Sequence, residues 1–157
     1  MDLQSTLEQV FSSNFLTYYK SHVAHVNLVG PNFPQYHGLL GGIYEDLQDD
    51  IDVLAELLRT IRAYMPANLG TVIALATELD EMVDGDQFEL LEIVYDSVES
   101  LIEDYRSLYD AAESERNIQI SNFAQDRILK LEKHCWMLRS TLEGAERMGP
   151  EERGERY

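Results

Sequence analysis

Apolar residues recur along this chain at steps of three and four, the spacing that lines one face of an α-helix. Leu3, Leu7, Val10, Phe11, Phe15 and Tyr18 mark a first stripe, which can continue to about Leu28. Gly30-Pro31-Asn32 interrupts it with strong turn chemistry. Pro34 suits the first turn of a second helix. That helix has a broad apolar face through Leu39, Leu40, Ile43, Leu47, Ile51, Leu54, Leu57, Leu58 and Ile61, ending near Met65-Pro66. Residues 67–85 form a connection, inside which the run from Thr71 to Leu79 predicts a short helix. A third long helix is expected from Asp86 to Ala112, turning Phe88, Leu91, Val94, Tyr95, Val98, Leu101, Ile102, Tyr105 and Leu108 inward. A fourth is expected from Ile118 to Arg147, with Phe123, Ile128, Leu131, Cys135, Leu138 and Leu142 inward and Gly149-Pro150 as its stop. Trp136 and Met137 read as core residues as well. Strand alternation and repeats are absent. The pattern predicts an all-α four-helix bundle with a short extra helix in the connection between the second and third long helices. It spans residues 1–148, with 149–157 as a short tail.

Composition narrows the function classes. The 157 residues suit one domain with a sizeable core, and 45% of them are hydrophobic, which argues against disorder. Asp and Glu number 29 against 12 Lys and Arg, a formal charge of −17. That excess disfavours broad electrostatic binding to nucleic acid or to anionic membranes, both of which attract cations. Residues 1–19 hold no Lys or Arg, and residues 151–157 set two Arg against three Glu, so no basic arm is expected. The single cysteine, Cys135, permits no intrachain disulfide. With no signal-peptide pattern or bilayer-length apolar run, the expected location is the cytoplasm.

Candidate chemistry gathers around three histidines in one short window, His22, His25 and His37. Nearby, Asp52 and Glu56 stand four residues apart on one helix face. Ordinary di-iron bundles carry Glu-x-x-His, but here the residues three before each histidine are Tyr19, His22, Pro34 and Leu131. His-Glu-x-x-His, phosphate loops, Gly-x-Ser-x-Gly and CxxC are also missing. His37 and Asp52 lie 15 residues apart on one predicted helix, or roughly 22 Å at the helical rise. If His25, His37, Asp52 and Glu56 form one site, it must be shared between two antiparallel copies of the second helix, as a two-fold dimer allows.

The stretch from Lys20 to His37, KSHVAHVNLVGPNFPQYH, followed by Tyr44 and by Asp52-Val-Leu-Ala55-Glu56, resembles the Dps family of mini-ferritins. The family pattern runs H-x-x-H-W-N-x-x-G-x-x-F-x-x-x-H, then Y, then D-x-x-A-E-R. Trp136-Met-Leu-Arg139-Ser-Thr-Leu142 resembles the family's W-M-L-R-A-x-L ending. The resemblance covers about residues 15–143 and implies a ferritin-like bundle assembled into a homododecamer from two-fold dimers. It also implies ferroxidase activity: Fe(II) is oxidised, with hydrogen peroxide as the expected oxidant, and ferric iron is stored inside. His25 and His37 match the ferroxidase histidines, and Asp52 and Glu56 the carboxylates supplied across the dimer interface. The same donor set suits Zn(II).

Departures from the pattern qualify these expectations. Gly41 stands where the family usually has a carboxylate, Val26 where it has Trp, Leu57 where it has Arg, and Asn122 about where it commonly has Asp. Gly38, Gly41 and Gly42 in early helical turns each cost about 1 kcal/mol relative to Ala. Drift or packing explains them, or else they make room for Glu45 to substitute. His22 is a candidate replacement ligand. The competing reading is a cage of the same architecture with a degraded ferroxidase centre, acting as a structural or metal-sequestering protein. The lysine-rich tails on which DNA binding in the family relies are not found here, so little or no binding to DNA is expected.

Overall fold

The computed structural model describes residues 1–78 and 80–146. The expected tail from residue 149, and the stop at Gly149-Pro150, lie outside the described residues. Regular structure among them is entirely helical: α1 (Leu3–Asn27), α2 (Phe33–Thr60), α3 (Leu69–Leu75), α4 (Gln87–Ser114) and α5 (Ile118–Glu146). Local chemistry explains most of the boundaries. Asp2 caps α1 by accepting from the Ser5 N–H at 2.8 Å. Asp86 and Glu89 form a reciprocal capping box at the start of α4. Asn117 accepts from the Ile120 N–H at the start of α5, just after Arg116 turns the chain with a φ of 55°.

Two elements depart from expectation: α3 spans Leu69–Leu75 rather than the run from Thr71 to Leu79, and α2 stops early. α2 ends at Thr60, about a turn before Met65-Pro66. The stop is made by Arg62, which adopts a left-handed φ of 67°, letting the Ala63 N–H bond the Leu58 carbonyl at 2.9 Å. The Arg59 guanidinium then donates to the Ala63 carbonyl and lies over the Tyr64 ring. This is a C-terminal cap built without glycine.

α1 packs on α2, and α4 on α5, as two antiparallel hairpins; α1 also packs on α4 and α3. The Leu3 N–H donates to Glu115, so the start of α1 meets the end of α4. At the other end Lys20, buried on α1, bonds Glu78 at 2.8 Å, and Glu78 accepts from Ser97 on α4. Residues 61–86 therefore run the length of the bundle, and α4 lies parallel to α2. The Thr77 hydroxyl donates to Asp104 and its N–H donates to the Ser13 hydroxyl oxygen, which fastens the connection a second time.

The core combines Leu7, Val10 and Phe11 of α1 with Leu40, Ile43, Leu47 and Leu54 of α2, Leu91, Val94, Leu101 and Tyr105 of α4, and Leu131 and Leu138 of α5. Trp136 departs from expectation: it is 56% exposed, and Met137 is 37% exposed. The buried line of α5 runs Ile120, Ala124, Arg127, Leu131, Cys135 and Leu138, and one residue further along a helix turns about 100° away from that line. Cys135 is buried, which pushes its thiol pKa up to about 12.

Polar groups close the bundle between α2 and α5. Arg127 is 2% exposed, yet its guanidinium bonds both oxygens of Asp46 at 2.9 Å and pairs through Nε with Asp50. His134 Nε2 adds a bond to Asp46 at 2.9 Å. Burial alone would raise the Asp46 pKa, but the bonds from His134 and Arg127 outweigh it and hold this carboxyl well below its usual range. Burial pushes Asp50 up to about 6 against the pull of Arg127, with the Asp46 charge adding to the rise. The Asp46 contribution to stability is thus present above the ordinary carboxylate range and is lost as pH falls through its lowered value. Asp50 has the opposite sign, costing stability when ionised and less as pH falls through about 6. Arg127→Met leaves two carboxylates without their cation, and a loss of about 3–5 kcal/mol in unfolding free energy is expected at pH 7.5. In urea titrations the deficit should shrink at pH 5, where Asp50 takes up a proton; a deficit that grows on acidification would contradict this account.

Candidate metal centre

The turn at residues 28–32 folds α2 back along α1. Asn32 enters α2 with a left-handed φ of 61°, a conformation that asparagine tolerates. The reversal brings His25, near the end of α1, against His37, in the first turns of α2. The two rings stack with centroids 3.7 Å apart. Each histidine is bonded to the other's backbone: His25 Nδ1 lies 2.7 Å from the His37 carbonyl oxygen, and His37 Nδ1 lies 2.9 Å from that of His25. A carbonyl can only accept, so both Nδ1 atoms carry the proton. In the neutral rings both Nε2 atoms then keep a lone pair for a metal. Neither Nε2 has a hydrogen-bond partner among the described residues.

Gly41 sits directly against this pair. A Cβ at that position would lie 3.1 Å from His25 Cε1 and 3.4 Å from its Nδ1. The glycine therefore has a packing role, because the His25 ring occupies the space a side chain would need. Gly38 and Gly42 differ, with nothing within 4 Å of where a Cβ would stand. Around the pair runs an aromatic array. His22 stacks on Tyr44 with centroids 4.2 Å apart and 6° between planes, and its Nδ1 lies 3.3 Å from the Tyr18 hydroxyl. Tyr44 also abuts His25 at 4.9 Å, and Phe33 covers His37 at 4.9 Å. His22 lies 6.3 Å from His25, ring to ring, and is held by its tyrosine neighbours.

Asp52 and Glu56 are exposed and lie four turns further along α2. Among the described residues, no group of three or more His, Cys, Asp or Glu within the chain is arranged to hold a metal ion. One chain thus brings His25 and His37 together and displays Asp52 and Glu56 elsewhere on the same helix.

Residues 4–148 match the family model of the ferritin-like domain. The DNA protection during starvation protein of Mycolicibacterium smegmatis is 30% identical over 146 residues, covering 88% of this chain and 75% of that protein. The chain belongs to the ferritin-like family, among the Dps proteins. An uncharacterized low temperature-induced protein of Nostoc is also 30% identical, over 141 residues, with 88% of this chain and 78% of that protein covered. Dps from Thermosynechococcus elongatus superposes with a TM-score of 0.85 at 19% identity, covering 89% of each chain. These findings bear out the all-α ferritin-like fold with its extra short helix. No helix among the described residues is long and apolar enough to cross a membrane.

Sequence reasoning missed the Arg127–Asp46–His134 network of this Dps-family chain. The signal was available: Arg127 falls on the apolar stripe of α5, and an arginine there needs carboxylates opposite. Sequence reasoning also left the role of Gly41 open, because ring packing against a glycine leaves no trace in spacing. Gly41→Ala should displace the His25 ring by a few tenths of an ångström and weaken Co(II) binding several-fold without unfolding the bundle. Visible absorption of the Co(II) complex, read beside the thermal midpoint, checks this; unchanged affinity would separate Gly41 from the histidine pair.

Proposed function

We propose that this chain is an iron-storing mini-ferritin that takes Fe(II) at sites shared between two copies and oxidises it, with hydrogen peroxide as the oxidant. His25 and His37 come from one copy, Asp52 and Glu56 from the other. The mutual His25–His37 clamp carries the reading, since it fixes two imidazoles in the metal-binding tautomer before any ion arrives. Imidazole nitrogen with carboxylate oxygen suits Fe(II), and the carboxylates stabilise the ferric product. Val26, Val29 and Phe33 beside the histidines, and Val53 beside Asp52, are exposed apolar residues that a second copy would cover. Two Fe(II), oxidised together or in succession, give one electron each to one peroxide, which takes two protons and leaves as two waters. Hydrolysis of ferric iron then builds mineral inside a closed homododecamer. Zn(II), which prefers the same donors, competes with Fe(II) without turning over.

The absence of a carboxylate at Gly41 favours a second reading, a cage that sequesters metal with little oxidation. Stopped-flow oxidation of Fe(II) by peroxide separates the two. His25→Ala/His37→Ala and Asp52→Asn/Glu56→Gln should each lose most of the wild-type rate. Random co-assembly of the two double variants should restore about a quarter of the sites, because one site of each mixed dimer is whole. No recovery would contradict the shared site, and metal binding without oxidation in the wild type would favour the sequestering cage.

DNA binding is not part of the proposed function. Twelve copies would carry 12 × −17 = −204 formal charges, and nonspecific affinity for a duplex rests on cation–phosphate contacts. Duplex DNA should run unretarded in a gel shift at 150 mM salt without divalent metal; a retarded band would overturn this.

A further inference from the structure

Gly38 and Gly42 face away from the histidine pair, into a groove between α2 and α5 of about 340 Å³. Two glycines one turn apart, with nothing within 4 Å of either missing Cβ, leave the floor of the groove open. Leu39 and Met137 form its apolar walls. At its base stands His134, 17% exposed at the side chain and held through Nε2 by Asp46. Lys130 and Lys133 stand at its rim.

The charges there are unusual for this molecule. The chain has three lysines; Lys20 is buried on Glu78, and the other two flank this groove. Among the described residues neither Lys130 nor Lys133 forms an ion pair, although Lys130 lies close enough to Asp50 to act on it through space. Asp46, the one carboxylate lining the groove, is already committed to Arg127 and His134. A cation entering here would meet two ammonium groups and a spent carboxylate. An oxyanion would meet two ammonium groups outside any ion pair and an imidazole that donates from Nε2 to Asp46, leaving Nδ1, without a partner among the described residues, to accept from the oxyanion's own hydroxyl.

We propose that the groove between α2 and α5 binds a small tetrahedral oxyanion that keeps a hydroxyl, such as hydrogen phosphate, with Lys130 and Lys133 supplying charge, His134 Nδ1 accepting from that hydroxyl, and Gly38 and Gly42 the room. Charge-assisted bonds of this kind are the strong ones. The inference is independent of the iron reading, because nothing in the groove belongs to the histidine pair.

Inorganic phosphate is the probe, titrated calorimetrically into the assembled, metal-free protein in a chloride background of constant ionic strength. Saturable binding of one phosphate per chain is expected. Lys130→Gln/Lys133→Gln should weaken it by about tenfold or more. Gly42→Leu should block it by filling the groove, at an unchanged thermal midpoint since the space there is open. A 20-base-pair duplex, the other source of phosphate oxygens, should not compete. Absence of saturable binding in the wild type would overturn the proposal. So would undiminished binding in either variant, or competition by the duplex that depends on the same lysines.

Discussion

A straight helix cannot bring its own two ends together, and the plan of this molecule follows from that constraint. α2 carries His37 in its first turns and Asp52 and Glu56 in its second half. The rise of the helix keeps Asp52 roughly 22 Å and Glu56 roughly 28 Å from His37 however the rest of the chain folds. What one chain can do is complete the local half. The short turn after α1 returns the backbone so that two histidines twelve residues apart grip each other's carbonyls. In the proposed shared site, the imidazole half would be a product of local folding and the carboxylate half a product of association. Metal that binds both would stabilise the association itself by mass action.

The same helix serves three neighbours through three faces. Its apolar face packs into the core, its Gly41 face meets the His25 ring, and Asp46 and Asp50 reach Arg127 on α5. The last of these matters because α2 and α5 are the pair of long neighbours joined chiefly by side chains. A guanidinium bonded to two carboxylates in a dry site is costly to disturb and is specific about register. It ties the far hairpin to the one that carries the histidines.

Much of this was legible in the amino-acid order. Helix number, most boundaries and the inward faces follow from spacing, because burying an apolar stripe is the dominant stabilising term and the stripe is written plainly. The separation of His37 from Asp52 and Glu56 was legible too, since positions along one helix translate directly into distance. Three features were not. Arg62 ends α2 through a left-handed backbone that no composition rule assigns to arginine. Trp136 reads as core by type but lies on the wrong side of α5 by one residue. Gly41 looks like a loss until the ring that occupies its space is seen. Each depends on a tertiary neighbour distant in the chain or on a local dihedral, and hydrophobic period reports neither.

The burial of Cys135 has a consequence for a protein whose proposed work brings it into contact with peroxide. Thiolate is the form that peroxide attacks, giving sulfenic acid and then irreversible acids. With the pKa pushed up to about 12, very little of the thiol is ionised at pH 7, and the residue is 3% exposed besides. The chain's one oxidisable thiol is therefore kept unreactive by the core that surrounds it.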